Sequence, residues 1–189
     1  MNRLGRLAGT AVIASLLATP ASACGGAVML AMLFNIFPEA EGVLQAEIAE
    51  TEKGFLHGER WTPETGQLQH EWRADKTSVT VAALDERLAS LSTGPHIDGS
   101  AHILLIHEFR WLELTASTGG PSADLRGISL EGEGPRFFTT RYVIDNLLAG
   151  TLTWDDALGR GLIRSAAPME EQAPWLGVLH AALAQTPRS

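Results

Sequence analysis

The stretch HILLIHEFRWLEL, residues 102–114, decides the fold. On a helical wheel its polar residues scatter around the axis instead of forming one polar face. Short apolar runs of this length are typical of buried strands, and His107 and Glu108 interrupt the runs near the middle. We therefore predict a long strand, or two strands bent near His107 and Glu108, with the opening apolar run in the core.

Further strand patterns flank this stretch. Pro63 and Gly66 suit a hairpin loop at residues 62–66, with one strand at residues 58–61 before it and another at residues 67–72 after it. The β-branched run at residues 77–81 predicts another strand. Shorter strands are predicted at residues 125–130, around residues 137–138 and at residues 162–164, with a loop at residues 117–123.

Helical patterns lie on both sides of the predicted strands. Pro38 and the acidic residues after it are typical of a helix start, and this helix is predicted to end near Gly54. Its apolar stripe contains Ala40, Leu44 and Ile48, and we interpret its glutamates, including Glu47, as a solvated face. Further helices are predicted at residues 82–92, after a Thr139 or Thr140 cap, after a Thr153 cap, and at residues 174–184.

The segregation of strands and helices predicts an α+β fold with an antiparallel sheet and one small domain. The composition is that of a globular chain, with 45% hydrophobic and 19% charged residues. The formal charge of -8 argues against a nucleic-acid partner bound through its phosphates. The single cysteine excludes an intramolecular disulfide framework and a multi-cysteine metal site.

Residues 1–23 have the pattern of a secretory signal peptide. Arg3 and Arg6 precede the apolar residues 7–17, and small residues stand three and one before the predicted cut after Ala23. Cleavage would leave residues 24–189 as a single domain with a frayed tail at residues 186–189. The loss of the two arginines would change the formal charge from -8 to -10. The sequence therefore predicts a periplasmic or secreted bacterial protein.

Cys24 would be the first residue after this cut. The alternative to ordinary secretion is a membrane-anchored lipoprotein tethered through the Cys24 thiol. The resemblance to a lipoprotein signal is partial, because Ala21 stands where a bulky apolar residue is usual.

An apolar N-terminal segment, residues 24–37, follows the predicted cut. Its apolar run has 11 residues, too few to span a bilayer, which favours a buried helix. The alternative is a helix that associates with a membrane or with a partner, because such a dense apolar segment must be covered by some surface.

Catalytic and metal-binding patterns are sparse. His102 and His107 are five residues apart, on opposite faces of a regular strand, and no compact metal-ligand motif occurs. We therefore predict no metal site and no cofactor. His107 and Glu108 are the candidate acid–base pair, because a buried position at a strand bend would perturb their pKa values. The alternative interpretation is an ordinary surface pair.

Three tryptophans lie on predicted strands: Trp61, Trp72 and Trp111. They are candidates to line an apolar binding pocket, because aromatic side chains dominate ligand and partner sites. Core packing is the other interpretation for each of them.

The stretch DNLLAGTLTWDDALGRG, residues 145–161, is similar in rhythm to the helical end of sterol-carrier-type lipid-binding domains. The shared pattern is a leucine pair, a glycine, a short helix, a second glycine and a strand. The resemblance implies an apolar ligand.

These observations lead to the hypothesis of an exported envelope protein with a non-enzymatic binding or accessory role. The expected partners are an apolar small molecule or an envelope protein. The alternatives are a small periplasmic hydrolase that uses His107 and Glu108, and a lipoprotein tethered through Cys24.

Overall fold

A computed structural model describes residues 24–57, 69–91, 97, 99–117, 120–127 and 132–184. Residues 1–23, the predicted signal peptide, and the predicted tail lie outside the described residues. In the described ranges the chain forms six helices and five strands, in the order α1 (Cys24–Ile36), α2 (Pro38–Glu52), α3 (Gln69–Ala89), β1 (Gly99–Leu105), β2 (Arg110–Ser117), β3 (Gly120–Leu125), β4 (Arg136–Thr139), α4 (Arg141–Leu148), α5 (Trp154–Gly159), β5 (Arg164–Ser165) and α6 (Met169–Leu183).

The five strands form one sheet in the order β3-β2-β1-β4-β5. β1, β2 and β3 make an antiparallel meander, in which Leu105 pairs with Arg110 at the first turn. β4 pairs with the free side of β1 in parallel, so that Leu105 lies opposite Thr139. The fold is α+β in a single small domain, as predicted, but the sheet is mixed because β4 runs in the same direction as β1.

Both faces of the sheet are covered by helices. Ile103 and Leu105 belong to the larger core with residues of α3, α4 and α6. Leu104 and Ile106 belong to the second core, whose other members are Ala40, Val43, Trp111 and Phe138, with α1 packed against it. The alternation along β1 therefore sends neighbouring residues into two different apolar layers.

The strand predictions at residues 67–72 and 77–81 are wrong, because both segments lie largely within α3. Among residues 75–89 of this helix, the buried residues are Thr77, Thr80, Leu84 and Leu88, which recur every three to four positions. This spacing places them on one face of the helix, toward the core, and the tertiary packing overrides the local β-propensity. The other strand of the predicted hairpin, at residues 58–61, lies outside the described residues.

The buried face of α2 differs from the predicted apolar stripe. Its buried residues are Ala40, Val43, Glu47 and Glu50, whereas Leu44 and Ile48 are only partly buried. Glu47 therefore does not lie on a solvated face.

The C-terminal helices begin at their predicted caps, with one exception. Thr140 accepts a hydrogen bond from the Val143 amide at 3.2 Å and caps α4, and Thr153 caps α5 in the same way. α6 begins earlier than predicted, at Met169, and contains Pro174. β3 begins within the predicted loop at residues 117–123 and ends at Leu125, where the prediction had a strand begin.

Candidate functional site

Helix α1 is apolar on two sides. Leu30, Leu33 and Phe34 pack against the second core at the spacing of one helical face. The opposite side carries Val28, Met29, Met32 and Ile36, which are 56%, 40%, 61% and 65% exposed. We call these four side chains the apolar stripe.

The prediction that this segment is a helix is confirmed, but the helix is buried on one side only. A helix on the surface of a soluble domain normally shows a polar outer face. Residues 24–36 contain no charged residue, and the stripe is accompanied by Ala31 and Asn35. No helix in the described ranges is long and apolar enough to cross a bilayer. The stripe is an apolar surface for which the described fold offers no cover.

The structure places the three predicted tryptophans differently. Trp111 lies on β2, as predicted, and is buried in the second core, with its ring 5.6 Å from that of Phe37. Trp72 falls within α3 and not on a strand, and its side chain lies outside the described part of the chain. Trp61 also lies outside the described residues. A binding pocket lined by these three residues stays a prediction, and Trp111 contributes to the layer beneath α1.

His107 and Glu108 lie in the turn between β1 and β2, at the predicted bend. The turn covers residues 106–109, and Phe109 closes it with a φ of +52°, in the left-handed region. Both side chains are buried, His107 at 6% and Glu108 at 7% exposure.

His107 forms a buried pair with Glu47 of α2. Its Nε2 atom lies 3.0 Å from one carboxylate oxygen of Glu47 and 3.1 Å from the other, and the Glu47 side chain is completely buried. The direction of this hydrogen bond depends on the tautomer of His107, since a ring nitrogen can donate or accept. The sequence pattern did not reveal Glu47 as a site residue, because the two residues are separated by 60 positions.

Glu108 begins a second chain of polar contacts, which includes Arg141 and Asp145. Its carboxylate lies 3.4 Å from the Arg141 guanidinium, Arg141 also pairs with Asp145, and the Thr80 hydroxyl donates to Asp145 at 2.5 Å. Burial raises the pKa of Glu108, against the opposing effects of His107 and Arg141. The Oε2 atom of Glu108 has no hydrogen-bond partner among the described residues.

These contacts connect three helices to one turn. The Glu47–His107 pair fixes α2 to the turn, and Arg141 and Thr80 connect the turn to α4 and α3. Because Nε2 of His107 is directed at Glu47, that nitrogen is not presented to a reacting group. An acid–base role for His107 and Glu108 stays a prediction, and the contacts describe a buried structural network.

His102, on β1, is also buried. His102 has its Nε2 atom 3.3 Å from the backbone carbonyl oxygen of Glu133, and its ring meets Trp111 edge to face. No group of three or more histidine, cysteine or carboxylate side chains in the described residues could hold a metal ion.

No protein-family model matches the chain, and no curated protein matches it. Among solved structures, the chain is similar to a stereoselective inverting sec-alkylsulfatase from Pseudomonas sp., with 15% identity and a TM-score of 0.40 over 56% of this chain. The chain spans only 16% of the length of that enzyme. It is also similar to a conserved hypothetical protein from Thermus thermophilus described as a possible sterol carrier protein, with 20% identity and a TM-score of 0.36, over 61% of this chain and 90% of the other.

Proposed function

We propose that this protein is an exported bacterial envelope protein with a non-enzymatic binding or accessory role, and that it engages an apolar partner through the apolar stripe of α1. The observation that carries the proposal is the exposure of Val28, Met29, Met32 and Ile36 on a helix whose other side is already packed. A small molecule with an apolar body and an envelope protein with an apolar groove both have the chemistry to cover this stripe.

The energy available from the stripe suits reversible binding. Full burial of a Val, Met or Ile side chain contributes about 1.5–3 kcal/mol, so the exposed fractions of the four side chains together offer about 3–7 kcal/mol. Association itself costs several kcal/mol, because the partners lose translational and rotational freedom. The stripe alone therefore supports weak binding, or binding that is aided by other contacts. Such a contact fits an accessory protein that meets its partner within one compartment.

Export is the second part of the proposal. It is supported by the sequence pattern of residues 1–23. We place the processed protein in the periplasm or outside the cell, with a Cys24-tethered lipoprotein as the alternative.

Photo-crosslinking in living cells tests the proposal. A photoreactive amino acid is introduced at Met32, and in a matched variant at Met169, which is 66% exposed at the start of α6. We expect one defined adduct at Met32, either a small molecule or a protein in the envelope fraction, and no such adduct at Met169. Equal labelling from both positions would contradict the proposal.

The hydrolase alternative rests on Glu108, a buried carboxyl with a raised pKa beside Arg141. If the protein hydrolyses chromogenic esters, the Glu108→Gln variant should lose this activity while its far-ultraviolet circular dichroism spectrum is retained. An unchanged rate in the folded variant would remove Glu108 from consideration as a catalytic residue.

A further inference from the structure

We propose that the apolar stripe docks onto the surface of a neutral lipid bilayer, with α1 lying in the plane of the interface. This inference rests on the proposed function, because it names the apolar partner of the same stripe. Three properties of the stripe point to lipid: its chemistry, its area and the charge of the chain around it.

The chemistry of α1 offers almost nothing to a partner that needs directed hydrogen bonds. Protein interfaces carry about one hydrogen bond per 100–200 Å² and a polar rim. Among residues 28–36, the other exposed side chains are those of Ala31 and Asn35, and no residue from Cys24 to Ile36 is charged. The acyl boundary of a bilayer needs no such bonds, and no charge has to leave water when this helix enters it.

The area of the stripe is too small for a stable dimer. The stripe consists of four side chains, each 40–65% exposed. A stable protein interface buries about 800 Å² on each partner. A second copy of the chain would therefore need further contacts beyond the stripe, whereas partition into a bilayer surface has no such lower limit of area.

The charge of the chain selects the kind of lipid. Residues 24–189 carry a formal charge of -10, since only the two arginines at positions 3 and 6 are lost from the chain total of -8. Glu39 and Glu41 follow α1 directly in the first turn of α2. Anionic lipids would repel this chain, so binding should be strongest on zwitterionic lipid and nearly independent of salt.

The geometry of α1 fits this placement. Leu33 and Phe34 hold the inner side of the helix against the second core, and Met32 and Ile36 point away from it. A bilayer on the outer side of α1 would leave the sheet and the helices of the larger core in water. The docking then requires no opening of the fold.

Vesicle flotation tests the inference. The protein is the predicted processed form, residues 24–189, with Cys24→Ser so that no acyl chain accounts for binding. Phosphatidylcholine vesicles are used alone and with added phosphatidylglycerol. We expect the protein and its Met169→Glu control to float with phosphatidylcholine vesicles, and Met32→Glu to partition about tenfold less, because it loses apolar contact and carries a charge into the interface.

Folding is checked by the urea midpoint of each variant, and Ile36→Ser replaces Met32→Glu if the latter is less stable than the control. Absence of flotation, equal flotation of Met32→Glu and Met169→Glu, or binding that requires phosphatidylglycerol would overturn the inference. So would a concentration-dependent dimer that is lost in Met32→Glu. A specific crosslink at Met32 to a protein or a small molecule, without flotation, would leave the proposed function intact and reject the bilayer. Failure of both experiments would reject both.

Discussion

Replacement of Glu47 by alanine is expected to be one of the most destabilising changes on α2. Glu47 has no exposed surface, and both of its carboxylate oxygens lie within 3.1 Å of Nε2 of His107. Glu47→Ala removes the carboxyl group and leaves Nε2 of His107 in a buried position without this partner. Loss of one partner of a buried pair costs about 3–5 kcal/mol when both are charged, and a neutral unsatisfied group costs about 1–3 kcal/mol.

We expect a loss of about 3 kcal/mol in the free energy of unfolding for Glu47→Ala, which corresponds to a decrease of about 6–12 °C in Tm for a domain of this size. The measurement is urea unfolding followed by tryptophan fluorescence and far-ultraviolet circular dichroism, whose midpoints should coincide. Glu52→Ala is the matched control on the same helix. Its side chain is exposed, so the change should stay within about 0.5 kcal/mol.

A double-mutant cycle identifies the cause. His107→Ala alone leaves the Glu47 carboxylate buried without the imidazole, and the double variant removes both groups. If the pair is responsible, the double variant loses less than the two single variants added together, by about 1–3 kcal/mol. Additive losses, or a Glu47→Ala variant as stable as Glu52→Ala, would refute the assignment of a buried pair.

Two further changes test the turn and the sheet. The pKa of Glu108 is raised by burial above its ordinary value of 4.5, so the protonated form stabilises the fold at low pH and this contribution is lost as the pH rises through the raised pKa. Urea unfolding at a series of pH values should show Glu108→Gln gaining stability relative to the unchanged protein as the pH rises above 4.5; a constant difference would contradict the shift. Gly134 has a φ of +124°, and a Cβ atom there would collide with the carbonyl oxygen of Ser100, so Gly134→Ala should cost about 2–3 kcal/mol. Gly120→Ala, at φ +104° with no heavy atom within 4 Å, should cost clearly less in the same measurement, and equal losses would exclude the collision as the cause.

Local signals in the sequence predicted the parts of the fold that depend on local physics. The apolar runs around His107 indicated β1, β2 and the turn between them. Thr140 and Thr153 marked two helix starts, because a threonine hydroxyl that accepts an amide hydrogen bond acts within one turn.

The errors occurred where distant contacts decide the structure. Residues 77–81 have β-branched side chains, yet the burial of Thr77 and Thr80 beside Leu84 makes them part of a helix. The stripe of α2 was misplaced because Glu47 is buried against His107, which lies 60 positions away in the sequence. The parallel pairing of β4 with β1 likewise has no local signature.

The candidate site was predicted in part. The bend at His107 and Glu108 was predicted, but the sequence left open whether the two side chains are buried or form a surface pair. Their partners Glu47 and Arg141 were not predicted. The helix over residues 24–36 was predicted, but an entirely apolar helix has no periodicity that tells its inner side from its outer side. Only the tertiary structure shows that Leu33 lies on the inner side of the helix and Met32 on the outer side.

The position of α1 and α2 ahead of the sheet has a consequence for the order of folding. A chain emerges from its N-terminus during synthesis, so both sides of α1 are apolar and uncovered until Leu104, Trp111 and Phe138 arrive to form the layer beneath it. β4 is the last of these contributors, more than 100 residues after α1 begins. During that interval the apolar side chains of α1 are exposed. We expect chaperones or an early membrane contact to protect this segment from aggregation.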